Sequence, residues 1–184
     1  GCTLSAYEIV VAEANTLILN AKTALDTSLK GAQSLDSTIF TADSYAALKK
    51  VMDESRLLVQ STTSTLEQLT QELVKLDNAK KALINVSGLK AIVDQSSTYV
   101  KDSYTHRSYT AYETSLNEAK QVLKNSASTV EDIEKAQSAL NAAAASLVKK
   151  ADFSKLNEKV QEASEVLESN KDMLEEASYN NFKK

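Results

Sequence analysis

The sequence predicts an all-α chain built as tandem three-helix, up-down-up bundles, and three observations predict it. Helix breakers are almost absent: the 184 residues include no Pro and only three Gly, while Ala, Leu, Lys, Glu and Gln, all good helix formers, are plentiful. Apolar residues recur three and four positions apart, the period of an amphipathic helix, and no Asn-Gly or Asp-Gly hairpin turn is present. Finally, Phe40-Thr41-Ala42-Asp43-Ser44-Tyr45 recurs 64 residues on as Tyr104-Thr105-His106-Arg107-Ser108-Tyr109. Self-similarity at a fixed distance marks a repeat array. A third version, Leu174-Glu175-Glu176-Ala177-Ser178-Tyr179, follows 70 residues later.

The first helix spans Ser5 to about Leu35, with Val10, Ala14, Leu17, Ala21, Leu25, Leu29 and Ala32 on one stripe and Gly31 as a kink or end. The second starts at Thr41, whose hydroxyl is expected to accept from the amide near Ser44. Phe40 and Tyr45 hold the two positions of a hydrophobic staple around that cap. The hydroxyl run Ser61 to Thr65 ends this helix, because such side chains compete for backbone hydrogen bonds. Ser64 and Glu67 then read as a capping box for the third helix, which carries Leu66, Leu69, Leu73, Leu76, Ala79 and Leu83.

At Asn85-Val86-Ser87-Gly88 two readings stay open. Either the helix stops and Asn85 or Ser87 caps a new one, or it runs through, as in spectrin-like arrays, to give an elongated rod. Leu89, Ile92, Val93, Ser96, Tyr99 and Val100 continue the helical spacing. The second copy then repeats the staple as Tyr104 and Tyr109, and the box as Ser128 and Glu131. Ten apolar positions hold the same 64-residue register, including Leu48/Tyr112, Met52/Leu116, Leu69/Ile133 and Leu76/Leu140. The Ala142–Ala145 run predicts a slimmer second bundle. A third copy opens with Phe153, Leu156, Val160, Val166 and Leu167, and Asp172 is its expected helix start; the short helix that follows is expected to fray. The organisation is therefore an N-terminal helical segment 1–22 fused to the first repeat, repeats at 23–86 and 87–150, and a partial repeat at 151–184. A 64-residue bundle lies near the lower limit of independent stability, so help from a neighbour is expected.

Charge narrows the function classes. Twenty-one basic residues against 25 acidic give a net charge of −4, and only Arg56 and Arg107 are arginines. A nucleic-acid surface needs clustered cations on one face, so none is expected. No run of 18 apolar residues is present to span a membrane, and no signal peptide is visible. Cys2 is the only cysteine, so no internal disulfide forms. Gly1-Cys2 has two readings: an incidental thiol or cloning remnant, or the tail of a lipoprotein signal with Cys2 as the lipidated residue.

The Thr-x-x-Ser-Tyr helix start, the Ser-Thr-x-Glu start of the next helix and the period near 65 resemble FIVAR modules, over about residues 23–86 and 87–150. Ala42-Asp43 and His106-Arg107 depart from the acidic residues that commonly follow the capping Thr in that family, and Tyr stands where Trp is frequent. The resemblance implies a three-helix bundle on an extracellular or cell-surface protein of a Gram-positive bacterium. It implies spacing, adhesion or module contact, glycan binding among its roles, and no catalytic residue.

Candidate sites are few. Tyr99 and Tyr104 flank one loop with Tyr112 a turn away, the one aromatic cluster suited to stacking on a sugar. His106, the only histidine, has no acid-base or metal partner in its surroundings. The acidic groups Glu131-Asp132-Glu134 and Glu175-Glu176 fall in first helical turns, where they complement the helix dipole. No phosphate loop, zinc motif or calcium loop is present. The expectation is a monomeric, non-catalytic interaction or spacer module without cofactor, whose partner is a host or cell-wall protein or glycan. The alternative is a carbohydrate-binding module.

Overall fold

The computed structural model describes residues 5–182. Among them it contains helices and short 3-10 turns, with no strand beyond two isolated bridges. Helix α1 is Ala6–Gln33, α2 Ala42–Gln60 and α3 Leu66–Lys81; these three pack on one another as the first bundle. Helix α4 is Ser87–Asp94, α5 His106–Lys124 and α6 Val130–Ala145, the second bundle. Helices α7 (Ser154–Ser169) and α8 (Lys171–Phe182) follow and touch little but each other. The accessible surface is 13186 Å², against about 8,700 Å² for a compact monomer of this mass, so the molecule is extended.

Each bundle has its own core in the predicted register. Leu25, Leu48, Met52, Leu69 and Leu76 close the first. Leu89, Tyr112, Leu116, Ile133 and Leu140 close the second. Two positions in the register differ in polarity: Ser55 and Glu72 are buried in the first bundle, where the second has Ala119 and Ala136. No helix among the described residues is long and apolar enough to cross a membrane.

Several local expectations are corrected. The α3 cap is Thr65, not Ser64: its hydroxyl accepts from Gln68 N at 3.2 Å, and Gln68 Oε1 accepts from Thr65 N at 2.9 Å. The α6 cap is likewise Thr129 with Asp132, not Ser128 with Glu131. The displaced serines tie the turn to the preceding helix instead. Ser64 Oγ donates to the Leu58 carbonyl and Ser128 Oγ to the Val122 carbonyl, both at 2.7 Å.

Thr41 is the N-cap of α2 by position, but its side chain caps nothing. Its hydroxyl donates to Ser44 Oγ at 2.9 Å, and Ser44 Oγ donates to the Thr41 carbonyl at 3.0 Å. Ser44 Oγ also accepts from Ile84 N at 3.2 Å, across 40 residues. Ser108 does the same for Val148 N at 3.1 Å. The Ser of Thr-x-x-Ser-Tyr is thus a clasp on the segment leaving the bundle. A hydroxyl offers one donor and two acceptor sites, and Ser44 fills all three.

At the open junction, α3 stops. A new helix, α4, begins with Val86 as its N-cap rather than Asn85 or Ser87, while Asn85 Oδ1 accepts from Ser87 N at 2.8 Å and from Ser87 Oγ at 2.6 Å. Helix α4 is only 8 residues long, because Ser97 Oγ and Thr98 Oγ turn back to the carbonyls of Asp94 and Gln95 and tighten the chain into a 3-10 turn at Gln95–Thr98. The third copy does not repeat the staple. Leu174 to Tyr179 lies inside α8, which begins at Lys171 after a one-residue break at Asn170, so Glu175 and Glu176 fall outside the first turn. Phe153, Leu156, Val160, Val166 and Leu167 are exposed.

The two caps differ chemically, which yields a test. Asp132 accepts from the Thr129 amide at 2.9 Å and hydroxyl at 2.8 Å, and these bonds hold its carboxyl below the usual aspartate range. A depressed carboxylate pKa contributes stability above the unfolded pKa and loses it as pH falls through the folded one. The first bundle uses Gln68, which does not titrate. The Asp132 carboxyl ¹³C signal should therefore titrate below ordinary aspartates and return toward them in Thr129→Ala. An ordinary midpoint in the unmodified protein refutes the assignment.

Candidate functional site

The aromatic residues of the second bundle converge. The 3-10 turn ends at Tyr99; a second such turn, Lys101–Ser103, leads to Tyr104 in extended backbone. Helix α5 then presents Tyr109 and Tyr112, three residues apart and so on one helical face. Ring centroids lie 6.2 Å apart for Tyr99–Tyr104, 5.1 Å for Tyr99–Tyr112, 6.4 Å for Tyr104–Tyr109 and 5.8 Å for Tyr109–Tyr112. Lys101 Nζ sits 5.6 Å above the Tyr109 ring, within cation–π reach, and 3.4 Å from the Glu113 carboxylate.

The three expected residues, Tyr99, Tyr104 and Tyr112, are thus brought together, but not on one surface. Tyr112 is 1 % exposed and belongs to the core, so its ring offers nothing to a ligand. Burial raises its hydroxyl pKa, with Tyr99 and the other neighbouring tyrosines adding to the effect. Its hydroxyl is the one buried side-chain polar atom among the described residues with no hydrogen-bond partner. Tyr99, Tyr104 and Tyr109 are half-buried and form the accessible part. Tyr109, with Lys101 and Glu113 beside it, was missing from the sequence-derived set, although its spacing from Tyr112 carried the signal.

The first bundle shows that the fold does not require these rings. Its residues in the same register are Leu35, Phe40, Tyr45 and Leu48. Phe40 and Tyr45 stack at 6.5 Å as a staple pair, and Tyr104 and Tyr109 keep that stacking. The extra hydroxyls at 99, 104 and 112 are therefore a property of the second bundle alone.

Elsewhere the chemistry is sparse. His106 is exposed at the start of α5. No group of three or more His, Cys, Asp or Glu among the described residues is placed to hold a metal ion. Cys2 lies outside the described residues. A concavity of about 770 Å³ follows the bend between α7 and α8, lined by Val166, Leu167, Met173 and Leu174. Another of about 410 Å³ lies where the bundles meet, between Phe40, Lys90 and Lys124.

Comparison with known proteins agrees with this architecture. The FIVAR domain matches residues 21–83 and again 85–148. A polysaccharide lyase 8 family protein, HylA, of Enterococcus faecalis (strain ATCC 700802 / V583) is 25 % identical over 117 residues. That alignment covers 60 % of this chain and 8 % of the relative, so the chain spans a small fraction of that protein's length. No solved structure matches the chain.

Proposed function

We propose, from the premise that this chain belongs to the FIVAR family, that it is a non-catalytic spacer and interaction element of a bacterial surface or secreted protein. Its units are residues 23–86 and 87–150. Modules of this family are found in extracellular bacterial proteins. One observation carries the spacer reading: the clasp at the exit of each bundle is duplicated bond for bond. Thr41 N donates to the Ile84 carbonyl at 2.9 Å and Val86 N to the Ile39 carbonyl at 2.8 Å. Sixty-four residues on, Thr105 N donates to the Val148 carbonyl at 2.8 Å and Lys150 N to the Ser103 carbonyl at 2.9 Å. Holding the exit strand at the same point in each unit fixes the step from one unit to the next.

Small-angle scattering tests this reading. A compact chain of 184 residues has a radius of gyration of about 16 Å. The spacer requires a clearly larger radius and an elongated pair-distance function, and a compact value overturns it.

The second reading, carbohydrate binding, is favoured by the tyrosines that only the second bundle carries and by the likeness to a polysaccharide lyase family protein. The ligand would stack on Tyr99, Tyr104 and Tyr109, of which Tyr99 and Tyr109 rest on the buried Tyr112. A glycan array should then give a hit that Tyr104→Ala abolishes and Phe40→Ala in the first bundle leaves intact. No hit, or a hit indifferent to Tyr104→Ala, rules the reading out.

A further inference from the structure

The two bundles are joined without a shared helix, since α3 ends at Lys81 and α4 begins at Ser87. The segment between is held on the first bundle by the clasp. The second bundle makes a contact of its own back to the first. Asp43 N donates to the Ser126 carbonyl, in the turn between α5 and α6, at 3.1 Å. Asp43 is the second residue of α2, where a backbone N–H has no partner inside its own helix. The Thr41 hydroxyl, the usual local acceptor for a helix start, is committed to Ser44. The neighbouring bundle therefore supplies the missing acceptor.

The turn that supplies it is built in advance. Asn125 Oδ1 accepts from Ala127 N at 3.1 Å, the Asn125 carbonyl accepts from Ser128 N at 3.2 Å, and Ser128 Oγ fastens the turn to α5. Both halves of the contact recur in register. In the first bundle, Ser61 Oγ accepts from Thr63 N at 3.2 Å and Ser64 fastens the α2–α3 turn. In the second, the Thr105–Ser108 contact at 2.9 Å again takes the local cap away from the helix start.

We propose that the start of the second helix in each module is a receptor for the turn between the second and third helices of the module that follows. The partner is another module of the same kind, recognised through a backbone carbonyl at a helix N-terminus. This contact, rather than a continuous helix, sets the angle between modules. The inference deepens the spacer reading, yet it can fail alone: modules that swivel freely still form an elongated particle.

Asp43→Pro removes the donor, and a proline is tolerated in the first helical turn. Arg107→Pro makes the same change 64 residues on, at a helix start on which no neighbouring turn is seated among the described residues, and so controls for the local cost. In a Cys2→Ser background of this chain, spin labels at Lys49→Cys and Glu134→Cys, both exposed, report the inter-module distance. The unmodified pair should give one narrow distance. Asp43→Pro should lose it to the broad distribution of independently moving modules, while Arg107→Pro keeps it. An Asp43→Pro distribution as narrow as the parent's, equal broadening by both prolines, or a broad parent distribution each overturns the proposal. Backbone amide signals of α2 and α5 confirm that both variants stay folded; if Asp43→Pro unfolds the first bundle, a Gly-Gly insertion after Ser126, which displaces the carbonyl without touching α2, is read by the same criterion.

Discussion

Leu89→Ala is expected to unfold the second bundle while leaving the first intact. Helix α4 is two turns long, and a helix of that length has no stability of its own in water. Its one fully buried residue is Leu89, at 0 % exposure among Tyr112, Leu116, Ile133 and Leu140. Ile92 and Val93 pack beside it only in part. Leu-to-Ala changes at such sites cost about 2–5 kcal/mol. At roughly 0.05–0.15 kcal/mol per residue, a module of this size holds about 3–10 kcal/mol in all. The substitution therefore removes about half of it at mid-range, and all of it where the module sits at the low end of that range. Leu25→Ala, the same position in the first bundle, is expected to be milder in kind: α1 runs for 28 residues and keeps Leu29 and Ala32 buried. Amide exchange read separately for α4–α6 and α1–α3 checks this. Retained protection of the α4 amides in Leu89→Ala refutes the pinning role; loss of protection in the first bundle refutes the independence of the cores.

Much of this fold was legible because repeated burial leaves a repeated pattern. Leu25/Leu89 and Leu76/Leu140 face their cores in both copies, and the spacing alone put them there. What was not legible is which of two adjacent hydroxyls does which task. Ser64 and Thr65 both have capping chemistry, and Glu67 and Gln68 can both answer. The choice falls on Thr65 because the Ser64 hydroxyl is taken by the Leu58 carbonyl. Thr41 was misread for the same reason, since its partner Ser44 serves an amide 40 residues away. Nor does apolar spacing reveal where a helix tightens, so α4 was expected to run through Ser96, Ser97 and Thr98. For the candidate site, proximity of Tyr99, Tyr104 and Tyr112 was visible, and so was the burial of Tyr112: it shares the register of Leu48, a core position. The inter-module bond left no trace, because both of its atoms are backbone.

The buried polar pair of the first bundle yields the second large effect, a substitution whose sign reverses with its context. Ser55 is 0 % and Glu72 4 % exposed, and Ser55 Oγ donates to Glu72 Oε1 at 3.0 Å. Lys75 Nζ reaches Glu72 at 3.2 Å and Glu54 at 3.1 Å; its bonds to Glu54 and then to Glu72 raise its pKa. The second bundle keeps Glu118 in the place of Glu54 but replaces Ser55, Glu72 and Lys75 together, with Ala119, Ala136 and Ala139. Ser55→Ala alone leaves a buried carboxylate oxygen without its donor and should cost about 1–3 kcal/mol. Glu72→Ala alone strands the hydroxyl and removes one packed methylene with the carboxyl group, together about 2–4 kcal/mol. In the Glu72→Ala background, however, Ser55→Ala removes a buried hydroxyl that has lost its partner, and it should be neutral or stabilising by up to about 1 kcal/mol. Groups in contact are expected to deviate from additivity in this way. Urea denaturation of the four proteins measures it. If Ser55→Ala destabilises equally in both backgrounds, the two residues are independent, and the paired alanines of the second bundle need another cause.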